Sequence, residues 1–371
     1  MAKAFGIITS PANHIKIEGM QDHRPVGAFS FLGRYRVIDF PISNMSNSGI
    51  DRIQVYVRGK VRSLAEHLGT GRHYNINSKR GKLQMLFSER SSVNDIYNTD
   101  IAAFAENLDI MERLRQEYVV IAPSYMVYAQ DYDALLTAHI ESGADITLLY
   151  HKVDNARDCF LNCDVLNLNK QKGVDSIERN MGNAKEKNVF MDTYVMKRSL
   201  LIELVKKARK MSSMYTLPEI VSISSGELDV RGIAHKGYFA SITDFPSYYQ
   251  ANLELLDYKA ATELFHSDWP IYTKTTDACP TQYFTGSDVK NTYVSNGCLI
   301  EGSTENCIVG RNVTIHKGAV LKNCIVLAYA EIGEDVHLEN QVVDKWARII
   351  HAKEIIASPE KPGYVMRDDT L

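Results

Sequence analysis

The feature that most constrains this chain is a six-residue apolar period near its C-terminal end. Val309, Ile315 and Leu321 stand six apart, and after a one-residue slip Val326, Ile332 and Leu338 repeat the spacing. Small or polar residues such as Gly310, Gly318 and Gly333 lie between them. Neither a helix nor a simple alternating strand buries every sixth residue. A triangular coil does, because each hexad forms one flat side and turns at a corner. The spacing predicts a parallel β-helix over 286–371 with these apolar residues pointing inward; a β-sandwich of short strands is the competing reading. The hexapeptide pattern itself indicates left-handed coils, against the usual right-handed crossover rule.

The first 255 residues follow a different rule. Ala4–Thr9, Ile53–Val57, Tyr118–Ala122 and Asp145–Tyr150 are short, nearly continuous apolar runs. Val61–Leu68, Ile101–Leu114 and Tyr132–Ser142, which lie between them, have helical spacing. Strands that are apolar on both faces and alternate with helices predict a mostly parallel sheet covered on both sides, with Rossmann-like α/β layering. Residues 256–285, with Pro270 and Pro280, read as a linker between the two domains.

Composition narrows the function classes. Lys and Arg number 42 against 45 Asp and Glu, a net charge of −3, so no basic excess points to nucleic acid or an anionic membrane. Six cysteines without a CxxC pair predict free thiols. The N-terminal MAKAFGIITS lacks the long apolar stretch of a signal peptide, and no window reaches the ~20 apolar residues of a membrane helix. The expected location is cytoplasmic.

Four tracts carry a resemblance. Gly33–Ile50 (GRYRVIDFPISNMSNSGI) resembles the GKYRIIDFPLSN…NSGI tract of ADP-glucose pyrophosphorylase, also called glucose-1-phosphate adenylyltransferase. Asp131–Thr147 is similar to the helix and strand after that family's GDH motif, and Gly237–Leu256 to its GYWEDVG…SYYEANMDLL segment. Val289–Gly302 resembles the entry into its left-handed β-helix. The resemblance spans essentially the whole chain and implies a nucleotidyltransferase-like domain followed by a β-helix. In that family the sugar phosphate attacks the α-phosphorus of ATP. The resemblance therefore calls for a Gly-rich phosphate loop, basic side chains and carboxylates that hold Mg²⁺.

At these positions the sequence departs from the family. The GGxGTRL loop corresponds to Ser10–Lys16 (SPANHIK), where Pro11 lacks an N–H and Ile15 replaces an arginine. RAKPAV corresponds to Arg24–Phe29, which keeps Arg24 but has Val26 for the lysine. The GDH aspartate aligns with Ser124 and the WEDVG aspartate with Ser241. Neutral hydroxyls hold Mg²⁺ poorly, so no metal cofactor is expected unless a neighbour such as Asp131 or Asp244 substitutes. Asp192 stands where a sugar-contacting glycine is implied, and Thr99–Ala103 lacks another. Arg24, Glu178 and Arg179 remain as candidates for residual anion or sugar-phosphate binding, the last two in place of an EKP segment. His139 and His316 each stand alone and read as structural.

A retained scaffold with lost chemistry resembles the GlgD-type subunits of this family. That resemblance implies a regulatory chain, inactive or weakly active alone, in a heterotetramer with a catalytic subunit in glycogen biosynthesis. A sugar phosphate or nucleotide ligand is compatible with it. The alternatives are a self-sufficient pyrophosphorylase with a relocated metal site and a β-helix acyltransferase.

Overall fold

A computed structural model describes residues 3–77, 79, 81–87, 98–212 and 215–371. The apolar runs form the centre of a nine-stranded sheet. Strands Lys82–Phe87, Arg52–Val57, Ala4–Thr9 and Tyr118–Pro123 lie side by side in parallel. The long strand Lys187–Lys197 follows in the opposite direction, with Ile146–Val153 and its parallel neighbour Val230–Ala234 beyond it. Period two explains the layering. Ala4 and Ile8 enter one apolar cluster while Phe5 and Ile7 enter another on the opposite face. The sheet is thus buried on both sides, as its sequence requires.

Two helix expectations are met closely, over Arg62–Leu68 and Tyr132–Ser142. The second starts at an Asp131 cap that accepts from Asp133 N and Ala134 N, and ends at left-handed Gly143. The expected helix Ile101–Leu114 is instead two helices, Asp100–Glu106 and Leu108–Glu112. Asn107 divides them, and its side-chain amide donates to Ala103 O at 3.0 Å, a local bond that competes with helix continuation.

The stretch 256–285 is not a plain linker. Asp257 caps a helix, Tyr258–Leu264, and the first β-helix strand, Gln282–Tyr283, precedes residue 286. Only the chain between them is mainly extended. Asp257 caps too short an apolar pattern to read as a helix from sequence.

The C-terminal region is a left-handed parallel β-helix of three five-stranded sheets. Val309 pairs with Val326, Ile315 with Ile332 and Leu321 with Leu338, and all six side chains are fully buried. Each coil in this stretch takes seventeen residues, so the slip after Leu321 is a five-residue side belonging to the coil itself. Corners explain the asparagines. Asn291, Asn306, Asn323 and Asn340 all adopt left-handed φ between 42° and 54°. Their amides bond from coil to coil, at 2.7 Å between Asn291 and Asn306 and 3.1 Å between Asn323 and Asn340. Asparagine tolerates that conformation better than any other residue but glycine. Cys298, Cys307 and Cys324 fill the interior as free thiols.

One face of the β-helix is buried against the sheet domain. Ile308, Ile325 and Val342 join the apolar cluster that contains Phe29 and Tyr248. Gly33, at φ 67°, passes so close that a Cβ would lie 2.8 Å from Ser295 Oγ and Val309 O. The Gly33–Ile50 tract is the hub of this packing. Asp39 is fully buried and accepts from His67 Nε2 and Tyr74 OH, each at 2.6 Å, and from Arg36 N at 2.8 Å. Asn44 donates to Tyr128 O and accepts from Trp269 Nε1, both at 2.9 Å. The tract is recognisable because it holds a buried polar network, which is costly to leave unsatisfied.

Candidate active site

In an open parallel sheet, ligands bind outside the carboxyl ends of the strands. Ser10, Arg58 and Ser124 directly follow Ala4–Thr9, Arg52–Val57 and Tyr118–Pro123. A cleft of about 680 Å³ opens at this edge, with Ser10, Arg58 and Tyr125 in its wall.

The loop Ser10–Lys16 is closed on itself and on its neighbours. Ile15 N donates to Ala12 O, and the Ser10 hydroxyl donates to Tyr56 O at 3.0 Å. Arg58 lies across the loop, donating to Ser10 O and Asn13 Oδ1 at 3.3 Å and to Asn98 O. His14 spans to the opposite wall, with Nε2 3.0 Å from Asn162 O and Nδ1 3.0 Å from Arg179 Nη2. The side chain of Ile15 is turned into the same apolar cluster as fully buried Val26. Neither position presents a charge to the cleft.

The two serines are buried as well. Strands Met126–Tyr128 and Phe239–Ser241 pair antiparallel, with Ser241 opposite Met126, two residues beyond Ser124. Cys163 Sγ donates to Ser241 Oγ at 3.4 Å, and burial pushes its thiol up to about 12. A hydroxyl paired with a protonated thiol offers no anionic oxygen, so these residues do not fit a Mg²⁺ ion. Among the described residues no group of three His, Cys, Asp or Glu side chains is placed to hold a metal. Asp131 and Asp244, the fallback carboxylates, are helix N-caps; Asp244 accepts from Ser247 N at 2.8 Å.

The other predicted positions separate. Arg24 is not displayed to the cleft: it is nine-tenths buried and ion-paired with Asp344 of the β-helix. Glu178 faces solvent, where the Ser176 hydroxyl donates to it at 2.8 Å and lowers its carboxyl. Arg179 does line the cleft. His139 is buried with Nδ1 2.8 Å from Thr147 Oγ1, and His316 lies 3.1 Å from Glu331 on the β-helix surface. Both sit away from the cleft.

Sequence reasoning missed the acidity of the wall. Asp100, Asp164 and Asp192 all line it, and burial raises all three carboxyls. Asp192 takes up the left-handed φ of 46° that its implied glycine would adopt. Its oxygens accept from Tyr194 OH at 3.1 Å and Tyr125 OH at 3.3 Å. Burial, then the nearby charges of Asp100 and Asp164, push it up to about 8 against the hydrogen bonds of the two tyrosines. Reading the residue after each strand end would have found Arg58; Asp192 was marked by its implied glycine, but Asp100 and Asp164 have no such signal.

Asp192 gives a pH prediction. The unfolded chain releases this proton near its ordinary 3.8, whereas the fold retains it to about 8. The folded state therefore binds more protons across that window, and stability falls as pH rises through it. Asp192→Asn, which keeps the shape and tolerates positive φ, should flatten this fall and stabilise the protein by about 3–4 kcal/mol more at pH 8 than at pH 5. Urea unfolding at pH 5 and pH 8 checks it; equal differences between variant and parent at both pH values would contradict the assignment.

With this geometry in place, comparison with known proteins decides the family. Residues 22–255 match the nucleotidyl transferase family model, beginning just beyond the closed loop, and residues 281–362 match the GlmU-like C-terminal hexapeptide model. The chain belongs to the nucleotidyl transferase family. Within that family it is similar to the glycogen biosynthesis protein GlgD of Bacillus subtilis, 31% identical over 96% of this chain and 94% of the relative. GlgD of Geobacillus stearothermophilus is also 31% identical, over 86% of this chain and 83% of the relative. Glucose-1-phosphate adenylyltransferase of Clostridium perfringens is 27% identical, over 82% and 78%. The sheet and the Gly33–Ile50 hub lie mainly within the nucleotidyl transferase match, and the β-helix coincides with the hexapeptide match. No helix among the described residues is long and apolar enough to cross a membrane.

Proposed function

We propose that this chain is a regulatory member of the glucose-1-phosphate adenylyltransferase system of glycogen biosynthesis, with little or no turnover of its own, and that it acts by assembling with a catalytic relative. The observation that carries the reading is the pair Ser124 and Ser241, buried at the metal-holding positions, with Ser241 against the Cys163 thiol. Nucleotidyl transfer depends on charge neutralisation at the transferring phosphorus. Here the serines offer Mg²⁺ no carboxylate, Pro11 has no N–H and Ile15 N is committed to Ala12 O, while Ile15 and Val26 lie inside the apolar core where the resemblance implies basic partners.

The retained parts support assembly. A family member with the same sheet domain and β-helix can be replaced by this chain at pseudo-symmetric interfaces, without new interface geometry. A shift in the partner's substrate or activator affinity of about 5- to 150-fold lies within ordinary allosteric coupling. The relocated-metal reading finds no support in Asp131 or Asp244, which are engaged as caps. Co-expression with the catalytic subunit encoded in the same genome tests the proposal. Mass measurement should find one mixed oligomer; two separate homo-oligomers would reject it.

A further inference from the structure

The wall of the cleft carries charge of the wrong sign for its family's substrates. Asp100, Asp164 and Glu219 line it, beside an Asp192 whose carboxyl stays protonated near neutral pH, against two guanidinium groups, Arg58 and Arg179. Arg58 is already directed at Ser10 O, Asn98 O and Asn13 Oδ1, and Arg179 at His14. Both guanidiniums keep their charge, since these partners are neutral, but among the described residues of the wall they already offset Asp100 and Asp164, so a triphosphate would compete with those carboxylates in a partly desolvated site.

The cleft has nevertheless stayed open, at about 680 Å³ and within the range of small-molecule sites. Its remaining wall is of two kinds. Ser10, Asn13, Thr99, Asn162 and Thr216 bring hydroxyl and amide groups, while Ile177, Pro218 and Ile223 form an aliphatic side. Ile223 is half exposed there. Carboxylates and amides that accept and donate to hydroxyl groups, facing aliphatic carbon, suit a ring that carries hydroxyls on its rim and C–H groups on its faces. The rings of the described wall are Tyr215, His14 and the buried Tyr125, and His14 is held by Asn162 O and Arg179, so no open pair of rings is offered for a purine to stack between.

We propose that the cleft binds an uncharged carbohydrate and rejects nucleoside polyphosphates. The inference rests on the reading that the site no longer transfers nucleotides, and it adds a ligand class to it. Protonation of Asp192 near neutral pH is in keeping, since a neutral carboxyl both donates to and accepts from hydroxyls.

Calorimetric titration of the full chain with maltotriose, adenosine and ATP at pH 7 tests it. Maltotriose should bind, ATP should give no saturable heat with or without Mg²⁺, and Asp164→Ala should weaken maltotriose at least tenfold. Asp164→Asn, which keeps the size of the side chain, should weaken it less, and a melting temperature within a few degrees of the parent certifies the fold of both. Absence of maltotriose binding, tighter binding of adenosine or ATP, or maltotriose affinity indifferent to both substitutions would each overturn the inference. Pyrophosphate release by the same preparation separates the two failures. An inactive chain that ignores maltotriose sinks only the carbohydrate site, whereas an active one sinks the regulatory reading beneath it.

Discussion

Restoring aspartate at both Ser124 and Ser241 is expected to leave the chain ~10³-fold or more below a competent relative in pyrophosphate release. That deficit corresponds to about 4 kcal/mol of missing transition-state stabilisation. Three other losses persist in the double variant. The loop Ser10–Lys16 has Pro11 without an N–H and Ile15 N committed to Ala12 O. Ile15 and Val26 remain inside the apolar core. Asp192 still stands in the cleft wall at the position where the resemblance implies a glycine. The substitution also carries a folding cost, because Ser241 is buried against Cys163 and a carboxylate there lacks a cationic partner. Ser241→Asp alone should therefore lower the melting temperature measurably. Full Mg²⁺-dependent turnover by the double variant would refute the account of the loop.

Removing Asp344 should be the most damaging single change to stability outside the apolar cores. Its carboxylate is fully buried and ion-paired with Arg24, while Tyr364 OH donates to the same oxygen at 2.6 Å and Lys345 N to the other at 2.6 Å. Asp344→Ala leaves a guanidinium enclosed between the domains without its counter-charge. Breaking such a pair costs about 3–5 kcal/mol, whereas replacing both partners by apolar groups of similar volume is often nearly neutral. Asp344→Leu with Arg24→Met should accordingly recover most of the loss. Denaturant unfolding of the three variants checks the sign and the size. A loss below about 1 kcal/mol for Asp344→Ala would mean that the pair does not hold the β-helix to the sheet domain.

Much of this architecture was legible because burial leaves periodic marks. The strand Ala4–Thr9 sends alternate residues to two cores, and the hexads at Val309, Ile315 and Leu321 face one interior. What escaped were features decided by single side chains. Asn107 breaks a helix that its neighbours would continue, and the seventeen-residue coil looks like an irregularity until its strands are paired. Arg24 illustrates the limit for the site. As a basic residue retained beside a lost lysine it suggested an anion contact, but its partner is Asp344, distant in sequence and close only through domain packing. The acidic wall was only partly visible: Asp192 was marked by its implied glycine, but Asp100 and Asp164 come from separate elements that meet it only in the fold. The departures from the family pattern at Ile15, Val26, Ser124 and Ser241 were readable residue by residue because the flanking tracts fix their alignment.

The central claim is that this chain serves its system by association and not by turnover. The direct measurement is the rate of pyrophosphate release from ATP and glucose 1-phosphate by the chain alone, by its catalytic relative alone, and by the co-expressed pair. The account predicts a negligible rate for the first and a higher kcat/KM or activator affinity for the pair than for the relative alone. Robust release by the pure chain, or a pair that performs no differently from the relative by itself, would contradict it.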